Sequence, residues 1–492
     1  MTPKRRLAAT LAALLATPAT PLYAANDAML QLIEALHAKG TIDADTYESI
    51  KLAARADDEQ NTTSTNEVNA VAKTLPKVES RGKLEVGTPA GDFVWRIGGR
   101  THLDSAWYGN DQGTFQRTNF ANGTEFRRAR MDITATLYRA WQLKLQYDFV
   151  NSGTAGIRDA YIRYNRTVGA FPSYAMVGNF KEPFSLEEYT SSNNITFMER
   201  SLINVFAPSR KIGFGFGTSG HNLWAVQGGF FGEGVAIENN QPGCSPAFSV
   251  DALGAITPSR NPGLVCTNGK HNEGYAGVGR LVVSPFHSES SDRVLHFGLA
   301  SEVRRPDDGE VVRLRQRPES NLADRLVDSG GLAGVDRTVK VGLEAAGNYG
   351  PFSLQSEYIY TDVERAAGLG DSSYDGWYVM GTWVITGESR IYKFPDGVFE
   401  NPKPARIVGQ GGIGAWELTT RFSSLDLNDR DNGIAFNGGE QDNMTVGLNW
   451  YPTPNFKFVA NYTRVLEVED ADFGSFDGVE PEIFALRAQA HW

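Results

Sequence analysis

From residue 93 onward apolar and polar side chains alternate one by one, and the alternation recurs in segment after segment. Phe93, Trp95, Ile97, Leu103 and Trp107 fall on one face of an extended chain, and Arg96, Arg100, His102 and Asp104 on the other. Trp141, Leu143, Leu145, Tyr147 and Phe149 alternate with Gln142, Lys144, Gln146 and Asp148. A period of two is that of a β-strand, whose successive side chains point to opposite faces. Sixteen strands are predicted, near 92–108, 127–139, 141–150, 157–165, 173–181, 211–219, 222–231, 274–284, 292–303, 337–347, 352–361, 375–386, 413–424, 441–451, 454–464 and 482–492. An even count, charges on the polar face of strand after strand and aromatics near strand ends predict a closed antiparallel transmembrane barrel with a wet lumen. A soluble sandwich would alternate too, but without so charged a second face. Short connections (139–140, 219–221, 348–351, 452–453) alternate with long ones such as 231–274 and 302–337. Short turns belong on the periplasmic side, so the first strand runs outward. Phe484, Leu486, Ala488, Ala490 and Trp492 give the last strand an apolar face.

Ahead of the barrel the pattern differs. Lys4, Arg5 and Arg6 precede an apolar run at 7–22, followed by Ala24 and Ala25, which predicts a cleavable signal peptide over 1–25. Met29, Leu32, Ile33 and Leu36, then Ile42, Tyr47, Ile50 and Leu52, repeat at helical spacing and predict two short helices broken at Gly40 within a periplasmic segment 26–56. Asp43 or Asp45 could cap the second. Residues 57–91, polar and poor in aromatics, are expected to be a linker, and 92–492 the barrel domain.

One stretch of the barrel region breaks the alternation. Residues 174–216 leave a strand at Lys181 and regain one near Ile212. Between them Phe184, Ile195, Phe197, Met198, Leu202, Val205 and Phe206 are too apolar for a solvated tail. A loop of this length is functional or disordered, and the apolar content predicts one folded inward against the barrel wall.

Composition then narrows the chemistry. The chain of 492 residues carries a formal charge of −11 and 52 glycines, and its mean hydropathy is −0.33. A barrel that alternates lipid-facing and lumen-facing residues is polar on average, so that hydropathy does not exclude a membrane. Net charge speaks to solubility, not to the field inside a cleft. Cys244 and Cys266 share one loop; in an oxidising compartment they form a disulfide or remain two thiols. No calcium loop, zinc-ligand cluster or catalytic triad spacing stands out, so no metal, cofactor or enzymatic activity is expected. The formal dinucleotide fingerprint at Gly215, Gly217 and Gly220 sits in a β-hairpin, whereas that fingerprint requires a following helix.

Clustered cations remain. Arg128 and Arg130 share lumen parity with Asp132, while Arg127 has the opposite parity at a strand end, from where it could fold inward. Arg313, Arg315 and Arg317 recur at period two behind Arg304 and Arg305, as an anion-guiding row or as a solvated loop balanced by Asp307, Asp308, Glu310 and Glu319. The inward loop and its flanks offer Lys181, Arg200, Arg210 and Lys211, with Ser185 as a neutral donor; Glu187, Glu188 and Glu199 allow a purely structural role for each cation.

The run KEPFSLEE…TSSN…TFMERSL…FAPSR resembles the third loop of the phosphate-selective porin O/P family. The resemblance implies an outer-membrane channel of sixteen strands, a homotrimer in outer-membrane lipid. Its solute would be inorganic phosphate or polyphosphate, with no nucleic-acid partner. By resemblance Arg127 and Arg128 match a constriction pair, Arg304, Arg305, Arg313, Arg315 and Arg317 an arginine ladder, and Asp159 an acidic residue at the binding site. The alternative is a general or sugar-selective porin; a barrel enzyme would need a nucleophile and base that the sequence does not bring together.

Overall fold

A computed structural model describes residues 23–80, 84–109, 120–151, 153–235, 244–246, 248–250, 256–258, 264–266, 273–307, 310–366, 368–429, 436–471 and 478–492. The expected signal peptide lies outside the described residues up to position 22. Two compact units divide the chain, Met1–Lys77 and Val78–Trp492.

In the first unit, α1 (Tyr23–Ala38) and α2 (Ala44–Thr74) flank Gly40, whose φ of 70° ends the first helix. Asp43 caps α2 through the Thr46 N–H at 2.6 Å. The second helix reaches Thr74, so the expected linker is helical over its first half. Residues 57–74 contain no glycine or proline, and the first breaker is Pro76.

In the second unit sixteen strands form the barrel: β1 (Phe93–Gly109), β2 (Gly123–Leu137), β3 (Trp141–Asp148), β4 (Ile157–Val168), β5 (Phe171–Lys181), β6 (Arg210–Gly220), β7 (Trp224–Phe231), β8 (Tyr275–His287), β9 (Arg293–Arg305), β10 (Val335–Tyr349), β11 (Phe352–Arg365), β12 (Ser372–Val384), β13 (Ala415–Asp429), β14 (Phe436–Thr453), β15 (Phe456–Ala471) and β16 (Glu482–His491). Each pairs antiparallel with the next, and β16 pairs with β1 from Glu482↔Gly109 to His491↔Arg100, which closes the cylinder. Trp492 seals that seam by exchanging backbone hydrogen bonds with Gly99 at 3.0 and 3.1 Å. A Cβ at Gly99 would collide with the Trp492 ring, so only glycine admits this closure.

The outside is apolar and the inside charged. Trp95, Ile133, Leu145, Phe214, Leu299 and Trp383 are exposed, whereas Arg280, Arg421 and Lys457 are each 1% exposed and face inward. That inverts a soluble protein and fits a cylinder in lipid. Ring pairs Trp141–Tyr164, Phe352–Trp383 and Trp416–Trp450 gather at the short-turn ends as an aromatic girdle. At the opposite end β14 and β15 run several residues beyond their predicted limits. There the outward positions turn polar (Asp442, Glu467), so the ladder continues after the apolar alternation has ended.

One connection breaks the expected rule of short periplasmic turns. Residues 385–414 join β12 to β13 on the short-turn side and fold into a hairpin of Ile391–Lys393 and Val398–Glu400. Tyr392, Val398 and Phe399 need cover and find it inside the barrel with Leu186, Val294 and Ala346.

Candidate solute pathway

The loop after β5, residues 182–209, folds into the lumen as expected. Phe184, Phe197, Leu202, Ile203 and Phe206 pack with Phe180, Phe231, Ile359 and Tyr378 of the wall. Burying a Phe or Leu side chain gives about 1.5–3 kcal/mol, enough to fix the side of the lumen the loop takes. Polar contacts then set its position. Lys457 donates to the carbonyls of Ile195 and Thr196 at 2.8 and 3.2 Å. Arg487 binds Asp104 and Glu199 at 2.6 and 2.9 Å. Arg421 lies over the Phe197 ring and pairs with Glu187 and Glu319 at 3.0 and 2.5 Å. Glu357 accepts the Leu186 and Glu187 N–H groups at 2.8 and 2.7 Å, at the start of the short helix α3 (Leu186–Tyr189). Sequence reasoning passed over these anchors, because isolated lumen-parity cations on distant strands form no cluster along the chain.

The loop leaves open a cavity of about 860 Å³ against β1–β6. Among the described residues, twelve arginines and lysines line it, against five aspartates and glutamates. A chain of net charge −11 thus encloses a basic passage. Among the lining cations are Arg100, Lys144, Arg158 and Arg163, none of them singled out from the sequence. They lie scattered over three strands, β1, β3 and β4, and meet only when the cylinder closes.

A β-bulge arms the centre. His102 of β1 pairs with Arg128 of β2 and Leu103 with Phe126, which leaves Arg127 as the extra residue. A bulge re-aims a side chain, and Arg127 turns inward beside Arg128 despite its opposite parity. It then binds Glu199 with two hydrogen bonds of 2.9 and 3.0 Å. Arg128 sits 3.8 Å from Glu199 and contacts His102 Nδ1 at 3.4 Å. Burial works to raise the Glu199 carboxyl, but Arg127, Arg128 and Arg487 outweigh it and hold the group well below the usual carboxylate range.

The other expected residues have diverse fates. Arg130 pairs with Asp148 at 2.8 Å, and Asp159 holds Arg210 and Lys144 at 2.7 and 2.9 Å. Lys181 and Arg200 share Glu188 at 3.2 and 3.1 Å. Ser185 is not on the cavity wall: its Oγ caps α3 by accepting from the Glu188 N–H. Lys211 is not there either, and its ammonium is tied to Glu233 at 2.5 Å. Arg304 faces inward but is enclosed by Glu182, Glu302 and Glu233 at 2.6, 2.7 and 3.7 Å. Arg305 is exposed on the outer face, with the parity of Val303 and Leu299, so it does not belong to a lumen row.

Leu314 is buried against the inner loop while Arg313 and Arg315 are exposed, so the extended segment presents its arginines on one side. Arg313 chelates Asp328, which raises its guanidinium. Arg317 donates to the Asn321 carbonyl at 2.9 Å. Arg325 joins them; burial and the neighbouring charges of Arg315 and Arg317 lower its pKa. Its signal was proximity in a folded loop, which the sequence does not display. Cys244 and Cys266 stand opposite each other across a short antiparallel pairing, and their side chains lie outside the described residues.

Residues 96–492 match the profile of a family described as phosphate-selective porin O and P. Porin O of Pseudomonas aeruginosa is 26% identical over 424 residues, covering 79% of this chain and 86% of that protein. An uncharacterized protein of Caulobacter vibrioides is 26% identical over 378 residues, 76% of this chain and 69% of the other. Among solved structures, the outer membrane channel DcaP of Acinetobacter baumannii superposes with a TM-score of 0.47 at 10% identity, over 85% of this chain and 100% of that one. Likeness at that level carries no argument about solute or assembly.

Proposed function

The chain belongs to the phosphate-selective porin O and P family and is an outer-membrane porin, and from that premise we propose that it is a passive anion-selective channel for phosphate, pyrophosphate or polyphosphate, working as a homotrimer in outer-membrane lipid. The observation that carries this reading is the basic lining of the cavity, twelve cations to five acids. Two of those cations, Arg100 and Arg128, keep a buried Nε–H without a partner among the described residues, whereas the Arg158 Nε lies 3.5 Å from Asp148. A buried donor left unmade costs about 1–3 kcal/mol, so an oxyanion that accepts it is stabilised where chloride, a single sphere, makes fewer bonds. Arginine's planar fork matches phosphate oxygens, and lysine adds a point charge.

Acids beside the cations support conduction rather than trapping. Asp159, Glu188 and Glu199 each hold two or more cations. They orient the guanidinium groups and reduce the depth of any one well, and a conducting pore needs several sites shallow enough to leave. Arg313, Arg315 and Arg317, with Arg325, would gather anions ahead of the cavity.

The test is ion selectivity in planar bilayers under a potassium chloride gradient, with phosphate and pyrophosphate then added at millimolar levels. Anion preference and concentration-dependent block of chloride current are expected. Cation preference, or block by maltodextrin and not by phosphate, would overturn the proposal.

A further inference from the structure

We propose that Arg163, stacked on Tyr174, centres a second anion subsite on the periplasmic side of the constriction, which takes inorganic phosphate or the end of a phosphate chain. The inference rests on the channel reading above and adds a place to it. A separate cavity of about 280 Å³ is lined by Arg163, Arg166, Ser173, Tyr174 and Gln227, among others, and by Pro395 of the inward hairpin. Among the described residues no aspartate or glutamate lines it. That sets it apart from the larger cavity, where five acids share the wall. Asp396, next to Pro395, lines the larger cavity and not this one. Arg163 and Tyr174 line both, so the two spaces adjoin at this stacked pair.

The guanidinium is prepared for a ligand. Its Cζ lies 3.8 Å from the Tyr174 ring centroid, which fixes the plane without neutralising the charge. Its Nε donates to Asn165 Oδ1 at 2.8 Å, and among the described residues no bond takes up its terminal N–H groups, which are left for an oxyanion. Gln227 is 3% exposed and brings a buried amide to the same wall. Asp159 and Arg163 face the lumen from one strand, four residues apart, about 13 Å at ~3.3 Å per residue. The two positions are therefore successive sites, not two contacts to one small ion. Arg163 lies toward the 169–170 turn, the short and hence periplasmic end.

The experiment uses the full-length porin in planar bilayers, oriented by one-sided addition, with phosphate supplied to one side at a time. R163Q should raise the half-blocking phosphate concentration from the periplasmic side roughly tenfold, the worth of one charge-assisted contact, and change block from the outer side less than about twofold. R163K, which keeps the charge and loses the fork, should recover part of the effect. Q227E, close to isosteric, places a carboxylate on the same wall and should give the same one-sided loss if R163Q does not assemble. Block by R163Q or Q227E equal to wild type from both sides, or reduced equally from both, would overturn the subsite. Absence of phosphate block in the wild type would instead overturn the channel reading itself.

Discussion

Arg128 offers the sharpest test of where the anion sits. The residue is 4% exposed, its Nε–H lacks a partner among the described residues, and the Glu199 carboxylate stands at 3.8 Å. R128Q removes the charge and the orphaned donor but keeps much of the volume. Glu199 retains Arg127 and Arg487, at 2.9 Å each, so the loop should hold its place. A hydrogen bond to a charged group contributes about 1.5–3 kcal/mol, and each ~1.4 kcal/mol is tenfold in affinity. The half-blocking phosphate concentration should therefore rise by about 10- to 150-fold. Single-channel chloride current, titrated with phosphate, reads it directly. K211Q is the control: Lys211 is also a cation of this region, but it is tied to Glu233 and is not on the cavity wall. It should shift block by less than about twofold. Equal sensitivity of the two variants, or R128Q within twofold of wild type, would show that net charge and not this wall selects the solute.

Other consequences follow from the anchors and from the mouth. R487Q leaves Asp104 and Glu199 short of a buried partner, at about 3–5 kcal/mol; a lower transition in heat-modifiability gels and a larger, noisier conductance are expected, and an unchanged conductance would deny the loop its anchor there. Replacing Arg313, Arg315 and Arg317 together by Gln should lower anion conductance at 0.01 M salt and have little effect at 1 M, because the Debye length falls from about 30 to about 3 Å; equal loss at both salts would mean a structural role. Glu199 is held below its ordinary pKa, so the stability it contributes is present above the unfolded value, about 4.3, and is lost only as pH falls through the lower folded value. Conductance in chloride should hence be flat from about pH 8 to 5, and a midpoint inside that window would assign control to another group.

Strand order, strand number and the inward loop were legible because each depends on short-range pattern. The period of two shows which face is wet, and the apolar content of 182–209 demanded cover that only the lumen supplies. The cations of the site were only partly legible. Arg128 and Arg130 declared themselves by parity, whereas the inward turn of Arg127 needed a bulge whose presence depends on the partner strand. Arg305 followed the motif but not the geometry, since its outward parity outweighs its place next to Arg304.

The alternation of side chains by itself determined a lipid-embedded cylinder with charges inside, because every strand reports its own two faces. What those charges do was decided only by the closed fold. Arg487 and Glu199 lie 288 positions apart and meet at 2.9 Å, and the hairpin of 391–400 enters from the side where a short turn was expected. Whether an arginine is neutralised or free depends on which carboxylate comes within about 4 Å of it, since Coulomb energy falls with distance and burial sharpens it. No local pattern carries that distance, so the split between anchors and open anion contacts belongs to the tertiary structure.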